Sequence, residues 1–371
     1  MNPEYIEIAE RIGARLCRDA LWYNGRCNWT SDYQDGEGIA HGALGPDLYD
    51  GTSGIALFLS RLASLTGERI FRVTAEAALR QALDRMPIPG CGFYDGGLSV
   101  MYAAAEIRGD FDQAAVLHQA EPDPSRLDVI DGSAGAIAVL LKFRLLEAAS
   151  RHGDLLLAQA SRAEDGWSWK TIRAHRNLTG FSHGAAGIAW ALLELYRATG
   201  ECRFREGALE AFRYERSCFS SAERNWPDYR GETAEYPVLW CHGATGIGFS
   251  RLRGFEILRD EELLAEARIA LATVREHSAS LSNFSLCHGQ AGNADLLIYA
   301  HEALGEALDG AERIAQEGYD RYEKRRIPWP CGLPGGNETP GLMLGLAGIG
   351  HFYLRLADPA QIRSVLLAPC C

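Results

Sequence analysis

Several features are scarce or missing in this chain, and each absence narrows what it does. No block of Lys or Arg occurs in its 371 residues, and the formal net charge is −12. A chain of that sign offers no electrostatic footprint for nucleic acid or anionic membranes. The N-terminus, MNPEYIEIAERIGARLC, interleaves charge with an amphipathic helical pattern and lacks the apolar core of a signal peptide. No stretch approaches the roughly 20 apolar residues that cross a bilayer, so no transmembrane segment is expected. Alternating β-branched residues are also rare, which argues against a sheet protein. Ten cysteines are present but unevenly spaced, unlike a disulfide framework. They fit a reduced, cytoplasmic setting in which thiols are free to hold metal.

What the chain does have is a repeated phrase. Gly-x-x-Gly, or a near copy, runs into an apolar helix-like stretch at Gly51, Gly96, Gly132, Gly184, Gly243, Gly289 and Gly345. Six copies keep both glycines, and the copy at Gly96 has Ser99 in place of the second. Successive copies lie 36 to 59 residues apart, long enough for two helices each. The segment after each glycine pair is apolar nearly all round, as in Ile188-Ala189-Trp190-Ala191-Leu192-Leu193, and so expects burial on every side. Intervening segments such as Glu68 to Met86, Phe204 to Phe219 and Asp260 to His277 are amphipathic. Seven buried and seven amphipathic helices in alternation predict an all-α protein, an α/α toroid with an inner and an outer ring. Residues 1–371 then form a single toroid domain, with 1–47 a helix and loop ahead of the first repeat. Three irregular stretches are candidates to frame the end carrying the glycines: Gly25 to Leu48, Glu121 to Ser125 and Pro328 to Gly341.

Alignment of the repeats on their first glycine gives two informative columns. Immediately before it stand Asp50, Asp95, Asp131, His183, His242, His288 and Leu344. One place earlier stand Tyr49, Tyr94, Ile130, Ser182, Cys241, Cys287 and Met343. In a ring, equivalent positions of successive repeats are neighbours, so Cys241, Cys287 and His288 converge at one end. Two thiolates and an imidazole with a fourth position open form the pattern of a catalytic zinc site. A buried thiol followed by a satisfied histidine explains one Cys-His-Gly, but two copies in register favour the metal. Asp50, Asp95 and Asp131 read as helix N-caps. His183 reads as a general acid or base beside the metal, and His242 as a fourth ligand, a second acid or a support for the ligands.

These phrases carry a resemblance. LYDGTSGIALFLSRLA, LDVIDGSAGAIAVLL, TGFSHGAAGIAWALLELY, NWPDYR followed by WCHGATGIG, SLCHGQAGNADLL and GLMLGLAGIGHFYLRLADP resemble, in order, the lanthionine synthetase C-like cyclases. The likeness is strongest to the C-terminal cyclase domain of class II lanthipeptide synthetases. It implies a toroid holding one Zn2+ on Cys241, Cys287 and His288, with His183 as catalytic acid/base and Asp128 as its carboxylate partner. It implies a lanthionine synthetase that adds Cys thiolates to dehydroalanine or dehydrobutyrine in a dehydrated precursor peptide. The alternative within the fold is a zinc protein handling glutathione or other thiol adducts, and a third reading, a toroid glycosidase, leaves the cysteine pair unexplained. Two departures stand out. Val238 and Leu239 occupy the stretch where single-function cyclases tend to carry Arg, Arg230 being the nearest and a weak substitute. The dehydratase region of the bifunctional enzymes has no counterpart, so either a separately encoded dehydratase is expected or this chain is a domain excised from a longer enzyme.

Overall fold

The computed structural model describes residues 2–35, 38–277 and 281–367. Cys370 and Cys371, expected as an exposed tail, lie outside the described residues. Fourteen α-helices occur among the described residues. The first seven are α1 (Pro3–Asp19), α2 (Thr52–Thr66), α3 (Arg69–Leu83), α4 (Gly97–Arg108), α5 (Gln113–Gln119), α6 (Ser133–Lys142) and α7 (Leu146–Gln159). The second seven are α8 (Ala185–Thr199), α9 (Cys202–Cys218), α10 (Ala244–Leu258), α11 (Glu261–His277), α12 (Gln290–Leu304), α13 (Asp309–Gly318) and α14 (Leu346–Ala357). The even-numbered helices touch their neighbours in order and α14 returns to α2, closing an inner ring. Each odd-numbered helix from α3 to α13 packs on the inner helix before it, and α1 packs on α14. The result is the α/α toroid expected from the repeats. None of these helices is long and apolar enough to cross a membrane.

The glycine phrase explains how inner helices begin. Gly51, Gly96, Gly132, Gly184, Gly243, Gly289 and Gly345 are the N-cap residues, none with a side-chain cap bond. In six of the seven, the first helical amide is instead taken by a loop carbonyl seven residues back. Examples are Thr52 N to Gly45 O at 2.9 Å, Ser133 N to Arg126 O at 3.1 Å and Ala185 N to Leu178 O at 3.0 Å. This corrects the expectation that Asp50, Asp95 and Asp131 are caps, because those orphan donors are already satisfied by backbone. The second glycine lets the same loop fold over the helix: a Cβ on Gly187 would lie 2.0 Å from Phe181 O. Gly243, at φ +84°, adopts the left-handed region that only glycine enters without strain.

The column one place earlier forms a belt. Tyr49 N donates to Tyr94 O (3.0 Å), Tyr94 N to Ile130 O (3.2 Å), Ser182 N to Cys241 O (3.2 Å), Cys241 N to Cys287 O (3.3 Å) and Cys287 N to Met343 O (2.9 Å). Met343 N closes the circle on Tyr49 O at 2.8 Å. The belt steps aside once. The link to Ser182 O comes from Val129 N at 3.1 Å, while Ile130 N turns to the Asp128 side chain at 3.0 Å. The seven repeats are thus locked in register by main chain, with the adjoining side chains gathered at one end.

Residues 1–47, expected as a helix and loop, hold two antiparallel hairpins after α1. These are β1 (Leu21–Tyr23) with β2 (Arg26–Asn28), and β3 (Thr30–Asp35) with β4 (Gly38–Ala43). A third hairpin, β5 (Ser161–Ala163) with β6 (Gly166–Ser168), follows α7. This exposes a duplication within the ring. Trp29 donates its indole N–H to Leu16 O at 2.8 Å, and Trp169 donates to Leu156 O at 2.7 Å. Cβ atoms on Gly13 and Gly153 would strike Leu62 with Phe71 and Leu195 with Phe204, respectively. The helix–hairpin–helix–helix unit α1–α3 therefore recurs as α7–α9, and Asp50 corresponds to His183.

Candidate active site

Cys241 and Cys287 sit on the belt, and this is why residues far apart in sequence meet. Both are buried, and the Sγ atoms of Cys241 and Cys287 and a His288 ring nitrogen lie within 4.8 Å of one another. Two thiols and an imidazole this close together are a donor set that would suit zinc. His288 Nε2 bonds Gly332 O at 2.7 Å, leaving Nδ1 for the sulfurs. Such an outer hydrogen bond fixes the tautomer of a ligating histidine. The thiols behave as a coupled pair. The hydrogen bond from Cys287 holds Cys241 well below the ordinary thiol range despite burial, with His288 assisting, and pushes Cys287 up. The Tyr49 hydroxyl reaches Cys287 Sγ at 2.9 Å.

Asp128 and His183 form the second element. Asp128 is buried at 3% exposure, and its Oδ1 accepts from Ile130 N and Asp131 N at 3.0 and 3.1 Å. Its other oxygen, Oδ2, meets His183 Nδ1 at 2.6 Å. Burial pulls the His183 pKa down, but the hydrogen bond and charge of Asp128 outweigh it, so the net direction is up. With Nδ1 fixed, Nε2 is left for exchange, on a side chain that keeps 26% exposure.

His242 stands between these elements. Its ring lies 6.1 Å from that of His183, and Asp228 Oδ1 is 3.9 Å from its Nδ1. Neither ring nitrogen has a hydrogen-bond partner, and desolvation lowers its pKa. Arg230, rated a weak substitute from sequence spacing, belongs to the site. It grips Asp228 through Nε at 2.9 Å and Nη2 at 2.7 Å, and its charge acts on His183, His242, Cys241 and Cys287. The phrase NWPDYR was its signal, but linear distance from Cys241 concealed it.

The aspartates of the column diverge. Asp131 pairs with Arg126, yet burial and the charge of Asp128 raise its carboxyl to about 6. Asp95 is raised by burial. Asp50 is pushed up to about 7 by burial and by Asp47, and its Oδ1 has no hydrogen-bond partner. The eight described cysteines are all free thiols.

The family model for lanthionine synthetase C-like protein matches residues 42–367. The chain is 23% identical over 375 residues to the lacticin 481/lactococcin biosynthesis protein LcnDR2 of Lactococcus lactis subsp. lactis, covering 92% of this chain and 39% of that protein. It is 24% identical over 218 residues to glutathione S-transferase LANCL1 of Danio rerio, covering 56% of this chain and 50% of that protein. The chain therefore spans half or less of the length of these curated relatives. Among solved structures, nisin cyclase superposes with a TM-score of 0.69 at 14% identity, covering 98% of this chain and 96% of that one. A GH76 alpha-mannanase of Bacteroides thetaiotaomicron gives 0.56 at 11% identity, covering 96% of each. Both are likenesses of fold.

Proposed function

The chain belongs to the lanthionine synthetase C-like family, and from that premise we propose that it is a zinc-dependent cyclase forming thioether rings in a dehydrated precursor peptide. The observation that carries this reading is the convergence of Cys241, Cys287 and His288 beside the Asp128–His183 pair. Two thiolates and a neutral imidazole suit Zn2+, one per chain. When bound there, zinc presents a coordinated thiol as thiolate near neutral pH, where a free thiol with pKa about 8.5 is mostly protonated.

The remaining chemistry falls to the protein's own residues. The peptide sulfur attacks Cβ of a dehydroalanine or dehydrobutyrine; the C–S bond forms as the Cα=Cβ electron pair moves onto the carbonyl, giving an enolate. His183 Nε2–H delivers the proton to Cα, and Asp128 holds the imidazole in the orientation and charge state this requires. On this reading His242, whose ring nitrogens have no hydrogen-bond partner, turns to donate to the enolate oxygen, with Arg230 supplying fixed positive charge nearby. The first amides of six of the seven inner helices take no part, since loop carbonyls already occupy them. Holding both reacting groups in one cavity converts their encounter into a near-unimolecular step. On this reading a dehydratase supplies the substrate.

The Danio rerio relative, named a glutathione S-transferase, favours one alternative: the same thiol-activating centre serving glutathione or other thiol adducts. Metal analysis of the purified chain, with thiol alkylation of a dehydrated Cys-containing peptide read by mass, separates the two. About one zinc per chain and loss of alkylatable peptide thiol at unchanged mass supports the cyclase. One zinc, no peptide thiol loss and consumption of glutathione thiol supports the alternative. No zinc removes both.

A further inference from the structure

The duplication places Asp50 where His183 stands in the second copy, yet only His183 has its partner. Asp128, which orients His183, lies three residues before Asp131 in the adjoining repeat. The corresponding position in the repeat adjoining Asp50, three before Leu344, is Gly341. A Cβ on Gly341 would sit 2.9 Å from Asp50 Oδ1, so the glycine faces that oxygen and offers it nothing. Asp50 Oδ1 is thus a buried acceptor with no donor. Leaving such a group unmet in a folded chain is costly, so a donor from outside would be favoured there.

A cavity of about 260 Å³ opens at this point, lined by Ser31, Asp32, Tyr33, Leu44, Asp50 and Thr339 among others. It lies beside the β3–β4 hairpin, the element that the second copy of the duplicated unit lacks. Its other polar walls are already paired: Ser31 with Thr339 at 2.7 Å, and Asp32 with His41 at 2.8 Å. Asp47 is spent on the amides of Asp50 and Gly51. The space falls below the roughly 300–1,000 Å³ of pockets for drug-sized ligands, so it suits one side chain of a longer molecule. Asp50 brings to it a carboxyl oxygen that lacks a partner. Tyr49, the next residue along, touches Cys287, so the cavity adjoins the metal ligands.

We propose that this cavity is a subsite for the substrate peptide, in which Asp50 accepts a hydrogen bond from a Lys or Arg side chain flanking the reacting cysteine. The inference rests on the cyclase reading for the identity of the peptide, but not for the binding itself. The test uses the zinc-loaded full chain and two dehydrated peptides that differ only in Lys or Glu beside the cysteine. Wild type is expected to show a KM at least about tenfold lower for the Lys peptide. Asp50→Asn, of the same shape, raises that KM about tenfold, removes the preference, and leaves kcat and one zinc per chain in place. Gly341→Ala, which narrows the space, raises the KM in the same direction. Unchanged KM values in both variants overturn the proposal. So does loss of zinc in Asp50→Asn, which would assign Asp50 to the support of His288, or a fall in kcat alone. Calorimetric binding of the undehydrated peptides reads the same preference where no ring forms, so failure of the subsite and failure of the cyclase reading remain distinguishable.

Discussion

Units α1–α3 and α7–α9 are built on one plan and do different work. Each threads a helix, a hairpin and a buried tryptophan whose indole bonds the helix end, and each then presents one side chain ahead of an inner helix. In the second copy that side chain is His183, gripped by Asp128. In the first it is Asp50, facing Gly341. The scaffold fixes where a group stands, and the adjoining repeat decides what it does. Orientation of His183 depends on a belt defect: Ile130 N leaves the main-chain ring to hold Asp128, and that exchange buries a carboxylate at the one place where an imidazole needs it.

The largest effect falls on the metal side of the ring. If Cys287 is a zinc ligand as proposed, Cys287→Ala should drop zinc content, read by atomic absorption, to background and ring formation with it. Retained zinc in that variant would detach the metal from the belt. Next comes the proton side. His183→Asn should keep its zinc and lose about 10²–10⁴-fold in cyclisation rate, measured as peptide thiol loss.

Asp128→Asn tests the difference between the two copies more finely. The His183 pKa is raised above its ordinary value, so its acid form persists to higher pH and activity falls as pH rises through the raised pKa. Without the Asp128 charge, the alkaline limb of the kcat profile should move to lower pH. An unmoved limb would assign the acid to another group. The smallest effect probes what the copies share. Trp29→Phe and Trp169→Phe each remove one buried indole hydrogen bond and should cost about 1 kcal/mol, alike within error, in urea unfolding.

Much of this was legible in the sequence, because repeats announce themselves by composition. All-round apolar stretches after each glycine pair marked the inner helices, and the two columns placed Cys241, Cys287 and His288 together. Asp128 was found through family resemblance, since it lies off the column. The capping role expected for Asp50, Asp95 and Asp131 failed because a carbonyl seven residues back does the capping, a backbone interaction with no side-chain signature. The hairpins were missed although two carry the signal. Asn24-Gly25 and Asp165-Gly166 are turn dipeptides, and Asn24 and Gly25 lie at φ 48° and 72°. Arg230 was undervalued because its chain folds back onto the site, and Gly341 was unreadable because its meaning is an absent side chain.

The central claim is that zinc at Cys241, Cys287 and His288 acts together with His183 to close thioether rings. Zinc-loaded wild type and zinc-loaded His183→Asn should be incubated with one dehydrated Cys-containing peptide, and the remaining thiol alkylated and counted by mass. The account predicts a peptide protected from alkylation by wild type, at unchanged mass, and left reactive by His183→Asn. Equal protection by both would contradict it, as would full alkylation in the presence of wild type carrying one zinc per chain.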